Sequence, residues 1–113
     1  MVDDDREWHL PDGVSGNPNG KLTYTFSSNV TIGGFYVTNL AGEEGEGEVN
    51  GTNDFTIYVG EEIVVEDELP RDNGGDPKLN RFPLKENIRA NTFSIVVKSI
   101  YGNHGGLRYF WFY

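Results

Sequence analysis

The chain has 113 residues, no cysteine, and a formal charge of −9 from 18 acids against 9 Lys and Arg. That length is one domain with a single core, and the missing thiols exclude a disulfide framework and a thiolate metal site. No apolar run nears the roughly 18 residues of a membrane span, and Met1-Val2-Asp3-Asp4-Asp5 is the opposite of a signal peptide. The compartment stays open, because a cysteine-free chain suits the cytosol and an exported protein alike; a place outside the cell or on its surface is expected if the chain belongs to a longer secreted protein. Residues 1–68 hold 15 acids and 2 bases, and residues 69–113 hold 3 acids and 7 bases. The first part repels a phosphate backbone and the second has no dense basic stripe, so nucleic acid is not an expected partner.

Residues 1–20 read as an irregular segment, with turn chemistry in Pro11-Asp12-Gly13 and Asn17-Pro18-Asn19-Gly20. Trp8 is the exception, a ring that caps a core or lines a site. Leu22-Thr23-Tyr24-Thr25-Phe26 alternates as a strand, and Ser27-Ser28-Asn29 reads as a turn into a second strand, 30–40. Val30 and Ile32 share a parity that Phe35 and Val37 do not, which predicts a β-bulge at Gly33-Gly34. Residues 41–53, with Glu43, Glu44, Glu46 and Glu48 among glycines, read as a mobile acidic loop.

Asp54-Phe55-Thr56-Ile57-Tyr58-Val59 alternates again, and Ile63-Val64-Val65 is a short strand. Residues 67–78 form a long loop, Pro83 places 81–85 at an edge or a bulge, and 86–89 reads as a connection. Then Phe93, Ile95 and Val97 alternate with Ser94, Val96 and Lys98, and after the break 101–106 comes Leu107-Arg108-Tyr109-Phe110-Trp111-Phe112-Tyr113. These two runs read as two strands joined by a loop that anchor the core; burying Phe93, Ile95, Val97, Phe110 and Phe112 contributes about 1.5–3 kcal/mol each before ordering entropy is subtracted. No window keeps a 3.6-residue apolar period. About seven short strands separated by turns predict an all-β fold, an antiparallel β-sandwich jelly roll, as one domain over 1–113.

Three pieces of this order resemble the discoidin, or coagulation factor V/VIII type C, domains of the galactose-binding-like jelly rolls. The first is Lys21-Leu22-Thr23-Tyr24-Thr25-Phe26 followed by Val30-Thr31-Ile32-Gly33-Gly34-Phe35-Tyr36-Val37, and the second is 54–59, similar to a strand ending in a short-turn hairpin. The third runs from Phe82-Pro83-Leu84 through 88–97 and Tyr101-Gly102-Asn103 to the aromatic ending 106–113, similar to the family's last two strands. The resemblance spans roughly residues 5–113 and implies a galactose-binding-like fold and a binding role. It also shows departures. Asp3-Asp4-Asp5-Arg6-Glu7-Trp8 stands where the family's structural calcium segment begins but lacks its Gly and Thr, and Tyr109 and Trp111 stand where an acidic residue often faces that calcium.

Calcium is the one cofactor that the acids suggest, since it takes six to eight hard oxygens. Asp72 and Asp76, around Asn73-Gly74-Gly75, are the best local ligands, and solvated acidic loops are the competing reading. His9 and His104 are the only imidazoles, too few for a transition-metal site. No nucleophile–base pattern, carboxylate pair or phosphate-cradling glycine motif appears, so the expected role is not catalytic.

Sugar recognition needs a ring against the apolar face of a pyranose and a few planar polar groups for the hydroxyls. Tyr101, Asn103 and His104 supply all three within four residues, in the loop that usually carries the ligand in sugar-binding members of the resembled family. Trp8, His9 and Arg71 are possible neighbours. Against this, Asn103 is a residue that tolerates a left-handed turn and His104 one that simply faces water. The expectation is a lectin-like module for a galactose-type glycan. The alternative is a protein-binding or structural module of a larger assembly, which would use the 43–48 acids or the Tyr109, Trp111, Tyr113 stripe.

Overall fold

The computed structural model describes residues 8–9, 20–40, 51–70, 78–102 and 105–113, and no helix occurs among them. In chain order the strands are β1 (Trp8–His9), β2 (Gly20–Asn39), β3 (Gly51–Thr52), β4 (Asp54–Val59), β5 (Glu62–Glu68), β6 (Asn80–Val97), β7 (Ile100–Tyr101) and β8 (Gly106–Phe112). All described pairings are antiparallel, in the order β1-β8-β2-β6-β4-β5, with β3-β7 as a separate pair.

Two of these strands are far longer than the pattern predicts, β2 with 20 residues and β6 with 18. They pair with each other along nearly their whole length, from Gly20 opposite Val97 to Val37 opposite Asn80. Their outer neighbours differ at the two ends: β8 joins only residues 35–39 of β2, and β4 joins only residues 93–97 of β6. The long pair therefore passes from one layer of a sandwich into the other, the corner arrangement in which strands switch sheets through bulges. Aromatic rings close the space between the layers: Phe93 lies 5.3 Å from Phe35 and 5.6 Å from Phe110, and Phe55 lies 5.1 Å from Phe82. Ile32, Phe35, Val37, Ile57, Phe93, Ile95 and Phe110 are fully buried there.

The corner has a compensated register. Between Thr25–Thr92 and Val30–Ala90, β2 advances five residues while β6 advances two; between Ile32–Ile88 and Gly34–Pro83, β6 advances five and β2 two. Each strand thus loops out the same length once, and the original register returns. Ser27-Ser28-Asn29, read from sequence as a turn, lies in the excursion on β2; of 86–89, read as a connection, Glu86 and Asn87 lie in the excursion on β6, while Ile88 and Arg89 pair with Ile32 and Thr31. Both stretches carry exposed residues, so their polar side chains stay in water while the backbone keeps going.

Gly33-Gly34 does mark an irregularity, but the extra residues lie on the partner strand. The glycines serve close approach instead. Both amides donate to the carbonyl of Tyr113, at 2.6 and 3.3 Å, and the Tyr113 amide donates back to Gly34 at 3.0 Å. A methyl on Gly34 would lie 2.5 Å from Cζ of the Tyr113 ring. Pro83 sits opposite Gly34 on a half of β6 with no second strand partner among the described residues, where its missing N–H costs nothing. The irregular reading of 1–20 is corrected at Trp8–His9, which pairs with Gly106-Leu107, and that of 41–53 at Gly51–Thr52, which pairs with Ile100-Tyr101.

The aromatic stripe of β8 divides. Trp111 packs edge-on against Tyr24 at 5.4 Å and against Phe26 and Phe93 at 6.0 Å, and so joins the core. Tyr113 lies between Tyr36, 4.7 Å away, and the Arg81 guanidinium, 4.8 Å from its ring centre.

Candidate functional site at the loop end of the sandwich

At one end the regular ladders give way to single side chains that hold loops. Asn39 follows Phe35 and Val37 at the next core-facing position of β2 and is itself buried. Its Oδ1 accepts from the amides of Thr52 (2.7 Å) and Leu40 (3.0 Å), and its Nδ2 donates to the carbonyls of Thr52 (2.8 Å) and Pro70 (3.3 Å). One amide group thus pins three stretches of chain. Gly51 beside it is obligatory on two counts: its φ is +130°, and a Cβ would stand 2.5 Å from Asn39 Oδ1.

Around this hub the Thr52 hydroxyl donates to the Gly106 carbonyl at 2.7 Å, and the Leu69 amide donates to the Asn53 carbonyl at 2.9 Å. A second clasp joins Asp54 and Ser99. The Ser99 hydroxyl donates to Oδ2 of Asp54 at 2.7 Å and accepts from the Asp54 amide at 3.0 Å. Asn80 donates to the carbonyls of Val37 and Lys78 and fixes where β6 begins.

Tyr101 is the one predicted ligand residue whose side chain is described. It stands opposite Gly51 and is half-buried, and its hydroxyl donates to the Leu69 carbonyl at 2.6 Å. The hydroxyl is therefore already engaged in holding the 69–70 segment. Gly102, just before Asn103, takes a left-handed conformation, with φ 59°. Trp8 and His9 enter through their backbone, opposite Leu107 and Gly106. Asn103, His104, Arg71, Asp72 and Asp76 lie outside the described residues, though the flanking Gly102, Gly105 and Pro70 do not.

Sequence reasoning missed Asn39, Thr52, Asp54 and Ser99. The signal for Asn39 was present: it is a polar side chain at a core parity, which demands partners. Nothing local marks Thr52 or Ser99, whose partners lie far along the chain. Among the described residues no group of three or more His, Asp or Glu is placed to hold a metal ion.

No family model matches this sequence, and no curated protein matches it. Solved structures with the same fold include the family 32 carbohydrate-binding module of NanJ from C. perfringens in complex with galactose. The TM-score is 0.70 at 13% identity, over 93% of this chain and 74% of that one. CBM32-1 from a family 31 glycoside hydrolase of Clostridium perfringens gives 0.58 at 18% identity, over 98% of this chain and 78% of that one. The fold is a galactose-binding-like jelly-roll β-sandwich.

Proposed function

We propose that this chain is a non-catalytic carbohydrate-binding module of the discoidin type, one unit over residues 1–113, that recognises a galactose-type glycan through the loops at the Asn39 end. The observation that carries this reading is the likeness over 93% of the chain to a module solved with galactose bound. The hub at that end supports it, because a rigid frame of buried hydrogen bonds is what holds a shallow sugar site in shape.

In this reading the exposed part of the Tyr101 ring packs on the apolar face of the sugar, while Asn103 and His104 hydrogen-bond its hydroxyls. Trp8, His9 and Arg71 are further contacts, and Asp72 and Asp76 are the acids offered to calcium. Binding of this kind requires no charge on the ligand. A glycan array probed with the purified chain, once with calcium and once with chelator, tests it. Binding to galactose-terminated glycans is the expected result, and its survival in chelator removes calcium from the site. A blank array from a folded chain overturns the proposal.

A further inference from the structure

A second surface, away from the loop end, has the character of a docking groove. It is about 580 Å³ in volume, with Ile63 and Val64 of β5 on one wall and Leu84, Lys85, Glu86 and Ile88 of β6 on the other. Among the described residues both walls are open sheet edges. β5 is the last strand in the order, and the first half of β6 pairs only with β2 among the described residues. Unpaired edges of this kind are templates for another extended chain.

The local sequence places an apolar side chain there by a definite device. Val65 stands opposite Ile57, yet Ile63 stands opposite Tyr58, so Val64 is an extra residue in β5. Without that bulge Ile63 would share the core-facing parity of Val65; with it, Ile63 is turned outward and is 49% exposed. Exposed large hydrophobic side chains are scarce here: apart from Ile63, only Leu79 is one among the described residues.

Charge selects the occupant. Glu62 and Glu86 line the groove with Lys85 as its single base, and Glu61, Glu66, Asp67 and Glu68 continue the acids along the turn and the rest of β5. A second copy of the chain would bring the same acids into opposition, which disfavours self-pairing. We propose that this groove binds an extended segment of a partner protein in which Lys or Arg alternates with β-branched residues, added as a strand along β5. The apolar side chains of that segment cover Ile63, Val64, Leu84 and Ile88 while its cations meet the acids. This surface is separate from the sugar reading and does not depend on it.

The test is a titration of the ¹⁵N-labelled chain with an octapeptide of alternating lysine and valine at about 50 mM salt, where surface charges are weakly screened. Amide shifts confined to residues 61–68 and 82–88 are expected, with none from an alternating glutamate and valine peptide. Affinity falls about tenfold at 0.5 M salt. Ile63→Lys, an exposed change that leaves the fold intact, abolishes the shifts. Absent shifts, shifts scattered over the acidic surface or centred at the loop end, or full binding by Ile63→Lys each overturn the proposal. So does concentration-dependent dimerisation that moves the same amides without peptide, which would assign the groove to a second copy.

Discussion

At the waist of the sandwich Phe93 lies within ring contact of Tyr24, Phe26, Phe35, Phe110, Trp111 and Phe112. At the loop end Asn39 is bonded to Leu40, Thr52 and Pro70. Both residues are buried, but they hold the chain by different physics. The waist relies on apolar area, which many arrangements of similar side chains supply and which tolerates repacking. The loop end relies on directional bonds from single side chains, Asn39 foremost, whose geometry a different side chain would not reproduce. A domain divided this way can keep a generic core while its loop end specifies one backbone shape, which is what a binding surface requires.

Four sets of substitutions probe that contrast, in decreasing order of expected effect on stability. Phe93→Ala removes the centre of the aromatic cluster and should cost about 3–5 kcal/mol in urea unfolding. Against a typical domain stability of about 5–15 kcal/mol this is a large share. A loss under about 1 kcal/mol would mean that the rings around it do not act as one core.

Asn39→Ala leaves the buried Thr52 amide and carbonyl without their side-chain partner and should cost about 1–3 kcal/mol for each orphaned group that water cannot reach. Asn39→Asp sharpens the point. It keeps the acceptor for the Thr52 and Leu40 amides but sets a buried carboxylate oxygen against the Thr52 and Pro70 carbonyls, and should cost at least as much as alanine. Equal stability of all three chains would refute the hub.

Tyr101→Phe removes the bond to the Leu69 carbonyl while keeping the ring and should cost about 0.5–1.5 kcal/mol. In the proposed function it retains the ring and hence most of the sugar affinity, whereas Tyr101→Ala loses both; isothermal titration with a galactoside reads the difference.

Asn103→Ala combined with His104→Ala should move stability by no more than about 0.5 kcal/mol, while abolishing glycan binding. Retained affinity would exclude these two residues from the site.

Much of the waist was legible because alternation is a local property. Leu22, Tyr24 and Phe26, then Phe55, Ile57 and Val59, then Phe93, Ile95 and Val97 declare their inward faces within a few residues. The parity change at Gly33-Gly34 was legible for the same reason. The corner was not. Ser27-Ser28-Asn29 carries turn chemistry, and only the return of register opposite β6 shows that the strand continues through it. The two-residue strands β1, β3 and β7 have no pattern to show at that length. Tyr101 was legible as a ring in a loop, but its bond to Leu69 joins residues distant in sequence, and no periodicity reports such a pair.

The place of β8 between β1 and β2 has a consequence for how the protein is made. β2 is the first long strand to leave the ribosome, yet its partners are residues 80–97 and 107–112, the later part of the chain. Until those residues emerge, β2 has none of its ladder partners. Sequence-distant pairing of this kind makes folding slow and leaves sticky surface exposed meanwhile. A nascent chain paused before β6 has therefore formed none of the ladders of β2, and β8 links β1 to β2 only once residues 106–112 have emerged.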